Sequence, residues 1–310
     1  MSQGVQWSEV FQVLRQIQLP WATLSLAAFL LSFYIRANRW GLLINQPSAS
    51  NTLKLRQSAI FIGFGSNCLF PFNAGELIRA KLVSQAGQLP LSLILGSIVS
   101  ERLLDATTAF SLLALSGVSI GFATQGLWLP ILGLGGILLA LIAIFYSLGR
   151  WQDQLLQRLE QLKLPIIKPH WKTKLLSALS GVLKSFGILN EPAKIAIALG
   201  QSYIIWGLGG VSFWLMMQAF QWQGSNFIQA LFVLSLQAIA AVIPSSPGHL
   251  GTFEAAMSFA LQVIDIQREN AIAYTLIMRV MMYGSLITLG LFYALTLGFK
   301  QIRQFTRSQD

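Results

Sequence analysis

The sequence predicts an all-α polytopic membrane protein made of two inverted repeats, each with a broken re-entrant hairpin. Three observations carry that prediction. Of 310 residues, 54% are hydrophobic and only 10% charged, and the mean hydropathy is +0.61, too apolar for a soluble domain of this length. Second, the stretch Ile243-Pro244-Ser245-Ser246-Pro247-Gly248-His249-Leu250-Gly251-Thr252-Phe253-Glu254 breaks an otherwise membrane-compatible segment with two prolines and two glycines. Freed backbone groups cannot face lipid, so the break sits inside protein or lines a wet cavity, where transporters keep binding sites. Third, the halves echo each other: Glu76 precedes Arg102 by 26 residues, and Glu254 precedes Arg279 by 25.

The elements follow in order. Residues 1–19 mix Glu9 and Arg15 with apolar residues and lack a signal-peptide core, which predicts a short amphipathic helix. The first transmembrane half, 20–148, opens with a span from Trp21 to about Ile44. Arg36 and Arg39 near its end, beside Trp40, are expected to snorkel to headgroups on the cytoplasmic side. After a polar loop, the apolar run Ser58 to Phe70 is too short to span at about 1.5 Å per residue. It ends in Pro71-Phe72-Asn73-Ala74-Gly75-Glu76, followed by Arg79 and Lys81, and reads as a hairpin open to the cytoplasm. Leu91 to Ala123 is a long helix in which Glu101 lies roughly 15 Å from the start, near the bilayer midplane, with Arg102 and Asp105 beside it. Gly126 to Leu148 is a plain span.

Residues 149–192 form the only long hydrophilic segment, with Arg150, Arg158, Lys163, Lys168, Lys172, Lys174 and Lys184 against three acids. Its leucines recur at helical spacing, which predicts two amphipathic helices lying on the cytoplasmic membrane face. The segment is too small to be an enzyme domain. The second transmembrane half, 193–299, holds a span from Ala193 to Gln221 and two short arms, Phe227 to Ile243 and Gly251 to Ile264, around the break. Its final span, Ala271 to Phe299, carries Arg279 roughly 12 Å in. Lys300, Arg303 and Arg307 in the tail, 300–310, place the C-terminus in the cytoplasm. The outcome is five full spans plus two hairpins, seven to eight hydrophobic segments, with the hairpins opening to opposite faces.

The net charge of +10 lies between apolar spans and at the C-terminus, so positive-inside topology accounts for it and no nucleic-acid partner is expected. Cys68 is the single cysteine and excludes an intramolecular disulfide; two histidines without a cysteine partner argue against structural zinc. No metal or cofactor is expected.

Arg102 and Arg279 are the leading candidates for chemistry, because an arginine at membrane depth must face protein or water. Each either forms a structural pair with Glu101, Asp105, Glu76 or Glu254, or binds an anionic substrate; an arginine parked on a carboxylate can exchange it for a phosphate. Glu76 and Glu254 each follow the break and either cap a helix N-terminus, bind the cationic part of a zwitterionic headgroup, or take up a proton. Ser245, Ser246, Asn67 and Asn73 satisfy freed backbone groups or touch substrate. His249 sits in the break, as scaffold or as a group titrating near neutral pH. Cys68 is read as core packing, and Arg79 and Lys81 as positive-inside anchors that could also hold a lipid phosphate. No catalytic arrangement is recognisable: there is no nucleophile elbow, His-Glu-x-x-His motif or phosphate-binding glycine loop. A non-enzyme is expected.

Asn67-x-x-x-Pro71-x-x-Ala74-Gly75-Glu76-x-x-Arg79, Glu101-Arg102-x-x-Asp105 and Pro247-Gly248-x-x-Gly251-x-x-Glu254 with Arg279 resemble the signatures of one family. It comprises the transmembrane domain of bacterial lysylphosphatidylglycerol synthases and the stand-alone flippase-like UPF0104 membrane proteins. The resemblance covers Trp21 to Phe299. It implies a multi-pass protein of the bacterial cell membrane that moves a phospholipid, polyprenyl-phosphate or glycolipid headgroup between leaflets. The aminoacyltransferase domain of bifunctional relatives has no counterpart here. Many relatives carry a basic residue at the position of Asn73 and glycine at that of His249, so headgroup preference is expected to differ. Relatives also begin with one more apolar helix ahead of the stretch around Trp7 to Ile17; the topology that leaves Met1 outside is what a missing first span would produce.

The implied partners are lipids with anionic or zwitterionic headgroups, together with a glycosyltransferase or lipid-synthesis enzyme. The alternatives are a non-transporting scaffold for such an enzyme and an intramembrane lipid-modifying enzyme.

Overall fold

A computed structural model of the chain describes residues 7–46, 51–121, 128–161, 169–240 and 247–307. They form twelve α-helices and no strand among the described residues: α1 (Trp7–Arg15), α2 (Leu19–Ile44), α3 (Leu53–Leu69), α4 (Ala74–Gly87), α5 (Leu91–Ser119), α6 (Trp128–Arg150), α7 (Gln152–Gln161), α8 (Pro169–Phe186), α9 (Pro192–Ala219), α10 (Phe227–Ala240), α11 (Thr252–Val263) and α12 (Arg268–Arg307). α2, α9 and Arg268–Leu297 of α12 are long and apolar enough to cross a membrane; the bent pair of α6 and α7, turned by 72°, adds a fourth if counted as one span. α5 is as long, at 29 residues, but carries Glu101, Arg102 and Asp105.

Local chemistry sets the helix ends. Pro20 and Pro192 open α2 and α9 at the first turn, where a missing N–H costs nothing. Thr52 caps α3 by accepting from the Leu55 amide at 3.2 Å. Pro71 then follows the last residues of α3, and Phe72 and Asn73 take left-handed backbone with φ of 57° and 52°, which turns the chain back into α4. The hairpin closes tightly because Gly63 and Gly75 let two backbones touch: a Cβ on Gly75 would strike the Gly63 carbonyl oxygen. Asn67 Oδ1 accepts from the Gly75 amide at 2.8 Å and seals the tip.

α2 and α9 run antiparallel. At one end the Gln18 amide donates to the Ala219 carbonyl (3.0 Å); at the other, Asn45 and Lys194 hold the Glu191 carboxylate at 2.7 Å each. α3 packs on α12 and α10 packs on α5. Gly65 and Gly290 form the α3–α12 crossing, where a Cβ on Gly290 would lie 2.8 Å from the Phe61 carbonyl oxygen. One core gathers around Phe33, Trp40, Phe61 and Ile94, and a second around Phe213, Phe232, Phe253 and Tyr274.

The expected amphipathic N-terminal helix is α1, which rests on α12 through the buried Val10. The basic segment does form two helices, α7 and α8. α8, however, is docked on protein: Leu183, Ser185 and Phe186 are buried, and α8 approaches α5 at Gly96 and Gly181. An apolar helix face looks the same in sequence whether lipid or protein covers it. The last helix continues to Arg307, past the expected start of the tail.

Candidate functional site

Charged side chains gather in an inner cluster and two outer pairs. For the inner cluster, α5 places Glu101 and Asp105 one turn apart on one face, toward α2 and α4. Glu101 is fully buried and pairs with Arg79 at 2.8 Å, Arg36 at 3.2 Å and Arg39 at 3.6 Å. Asp105 takes Arg36 at 2.6 Å and Arg39 at 2.8 Å. From α9, Ser202 accepts from Arg39 at 2.6 Å and Trp206 Nε1 points at Asp105 from 3.4 Å. Arg79 lies over the Trp40 ring at 4.8 Å.

This corrects two expectations. Arg36 and Arg39 do not snorkel to headgroups: their side chains are 12% and 0% exposed. Arg79, 1% exposed, is not a surface anchor. Each instead faces a buried carboxylate, whose charge offsets part of the cost of taking the cation out of water. Lys81, two residues on and so on the opposite face of α4, is exposed.

The outer pairs are Arg102 with Glu76 and Arg279 with Glu254, so Glu101 and Asp105 partner neither leading candidate. Arg102 Nε donates to Glu76 at 2.6 Å, with side chains 41% and 25% exposed. Arg279 and Glu254 meet at 2.5 Å, with 15% and 27% exposed. In both pairs the acid stands in the first turn of a hairpin's second arm, and the arginine on the long helix that follows. Arg279 also donates to the carbonyls of Gly248 (2.9 Å) and His249 (3.3 Å), between the rings of Phe253 and Tyr283 at 4.6 and 4.7 Å. The other Glu254 oxygen accepts from the Gly251 amide at 2.7 Å, so capping and pairing coexist on one carboxylate.

The two breaks touch. Gly248, at φ +64°, sits so close to the Cys68 carbonyl that a Cβ would lie 2.9 Å away. Cys68 packs at the edge of the first core and donates to the Phe64 carbonyl at 3.3 Å. His249 has φ 55°, a conformation glycine adopts without strain. Ser245 and Ser246 lie outside the described residues.

Sequence reasoning missed Arg36, Arg39, Phe64 and Trp206. Arg36, Arg79 and Arg102 all stand over the Phe64 ring, at 5.3, 5.5 and 5.5 Å. The available signal was two cations three apart in one span and two acids four apart in another. Among the described residues no three His, Cys, Asp or Glu side chains gather as metal ligands do. Guanidinium groups facing carboxylates in a half-dry setting can exchange a carboxylate for another anion.

Fold and site together define an all-helical, multi-pass membrane protein with charged pairs on two broken helices. The chain belongs to the lysylphosphatidylglycerol synthase TM region family, whose sequence model matches residues 1–290. It is similar to a UPF0104 membrane protein of Pyrococcus horikoshii, at 19% identity over 287 residues, covering 88% of this chain and 85% of that protein. No solved structure matches it.

Proposed function

We propose that this protein moves a lipid headgroup between the leaflets of a cell membrane, as a flippase or scramblase, without converting the lipid chemically. The observation that supports this most is the matched placement of the partly exposed pairs Arg102–Glu76 and Arg279–Glu254, each joining a hairpin to the long helix that follows it, with the hairpins meeting at Cys68 and Gly248. In this reading α2–α5 and α9–α12 are inverted repeats. Antiparallel packing of α2 on α9, with α3 on α12 and α10 on α5, is what a two-fold axis in the membrane plane generates. α2, α5, α6, α9 and α12 then cross the bilayer, and the hairpins α3–α4 and α10–α11 enter from opposite faces, with the C-terminus cytoplasmic.

The anionic part of the headgroup takes an arginine from its glutamate, and the freed carboxylate receives the headgroup's ammonium or hydroxyl groups. The tails stay in lipid. Fixed charges in the cleft offset the headgroup's lost hydration, and relative motion of the hairpins opens each face in turn. A second reading, a scaffold holding a lipid-modifying enzyme, draws on one observation: each leading arginine already has an internal partner.

Alkylation separates the two. In a Cys68→Ser background, Asn73→Cys and Leu250→Cys each place one thiol at a hairpin tip. With membrane-impermeant reagent added to either face of oriented proteoliposomes, a translocase labels at both positions from both faces. Labelling confined to a single face at each tip supports the scaffold.

A further inference from the structure

We infer that the inner cluster carries one uncompensated positive charge and that Arg36 completes a site for a singly charged anion where Arg36 and Arg102 meet the Phe64 ring. The inference rests on charge balance inside the bundle. Arg102–Glu76 and Arg279–Glu254 are each neutral as pairs. The inner cluster is not: Arg36, Arg39 and Arg79 share only Glu101 and Asp105. Among the described residues no other carboxylate forms an ion pair with the cluster. Of the eleven acidic residues in the sequence, Glu9 lies on α1, Asp153 and Glu160 on α7, Asp265 and Glu269 at the turn into α12, and Asp310 at the chain end. Glu191 is engaged with Lys194 and Asn45. Arginine does not shed its proton at any relevant pH, so the surplus must be met by an anion from outside the chain.

The geometry locates that anion. Arg39 and Arg79 are sealed, at 0% and 1% side-chain exposure, whereas Arg36 reaches the surface of the cluster at 12%. Beside it, Arg102 is 41% exposed and stands over the same ring. Both guanidinium groups approach that ring, and two cations so placed repel each other unless an anion lies between them. Arg36 Nε is buried without a hydrogen-bond acceptor, so the residue has donor capacity left after serving both carboxylates. A monovalent group restores neutrality: a lipid phosphodiester, or a free anion such as chloride or monobasic phosphate.

The test is the thermal unfolding midpoint of purified protein in neutral detergent, titrated at constant ionic strength with sodium chloride, inorganic phosphate, or short-chain phosphatidylglycerol below its micelle concentration. Wild type and Arg36→Lys should show a saturable rise with at least one of these. Arg36→Gln, which leaves two arginines on two carboxylates, should weaken the response by about tenfold or more, and Lys54→Gln, at an exposed position on α3, should behave as wild type. A shift with the inorganic anions identifies a free counter-anion; a shift that requires the phosphodiester identifies a headgroup. No saturable shift in wild type, or an unaltered one in Arg36→Gln, overturns the site. Should Arg36→Gln fail to fold, Arg102→Gln removes the other cation of the site at a more exposed position and should weaken the response likewise; an unaltered response there overturns the site. Because the inference rests partly on the reading of the cleft as a headgroup path, transport is measured beside binding. Binding without lipid movement removes the translocase and keeps the site, while movement indifferent to Arg36→Gln does the reverse.

Discussion

Arg39 and Arg102 show how burial divides the arginines of one cluster. Arg39 is fully enclosed and holds Glu101, Asp105 and Ser202; removing it leaves a buried cavity and takes from Asp105 one of its two cations. Arg39→Ala should therefore cost about 3–5 kcal/mol of stability in denaturant unfolding. Arg102 is 41% exposed and serves one half-exposed acid, so Arg102→Ala should fall within about 1 kcal/mol of wild type. A folded protein that loses its activity on Arg102→Ala would mark that residue as functional. The matched spacing of Glu76 with Arg102 and of Glu254 with Arg279 was legible in the sequence, but it left Glu101, Asp105, Glu76 and Glu254 all open as partners of these arginines. The inner cluster was not, because an arginine near the end of an apolar span has the same local sequence whether it reaches for headgroups or for a carboxylate on another helix.

At the scale of elements, glycine decides how closely the helices meet. Gly75→Ala drives a methyl into the Gly63 carbonyl, which cannot yield without opening the hairpin; the expected loss is about 1–3 kcal/mol of stability, read as a lower unfolding midpoint. Both hairpins were legible because Pro71 and the Pro244–Gly251 stretch interrupt runs too short to span. The docking of α8 on α5 was not, since Ser185 and Gly96 carry no signal of each other in sequence.

The junction of α2 and α9 adds a pH dependence outside the spans. Hydrogen bonds from Lys194 and Asn45 hold the Glu191 carboxyl below its ordinary value. Its contribution is therefore present above the unfolded carboxyl's pKa and is lost as pH falls through the lower folded value. Lys194→Ala should flatten that acid limb of the stability profile, a small effect because the group is solvent-exposed. An unchanged limb would mean the contact does not persist in solution.

For the whole molecule, composition was enough to give the all-helical membrane class, because no soluble core needs so much apolar surface. Relative placement was not legible: α3 against α12 and α10 against α5 are contacts between distant segments, set by crossings such as Gly65 with Gly290 that no local pattern announces. That placement brings two charged breaks into contact, and the proposed path of the headgroup runs between them. The direct measurement is headgroup protection in proteoliposomes with fluorescent phospholipids, comparing wild type with Arg102→Ala and Arg279→Ala at matched folding. If a headgroup passes there, wild type exposes inner-leaflet label to an impermeant quencher and both variants lose this. Well-folded wild type that moves no anionic, zwitterionic or polyprenyl-linked lipid would contradict it.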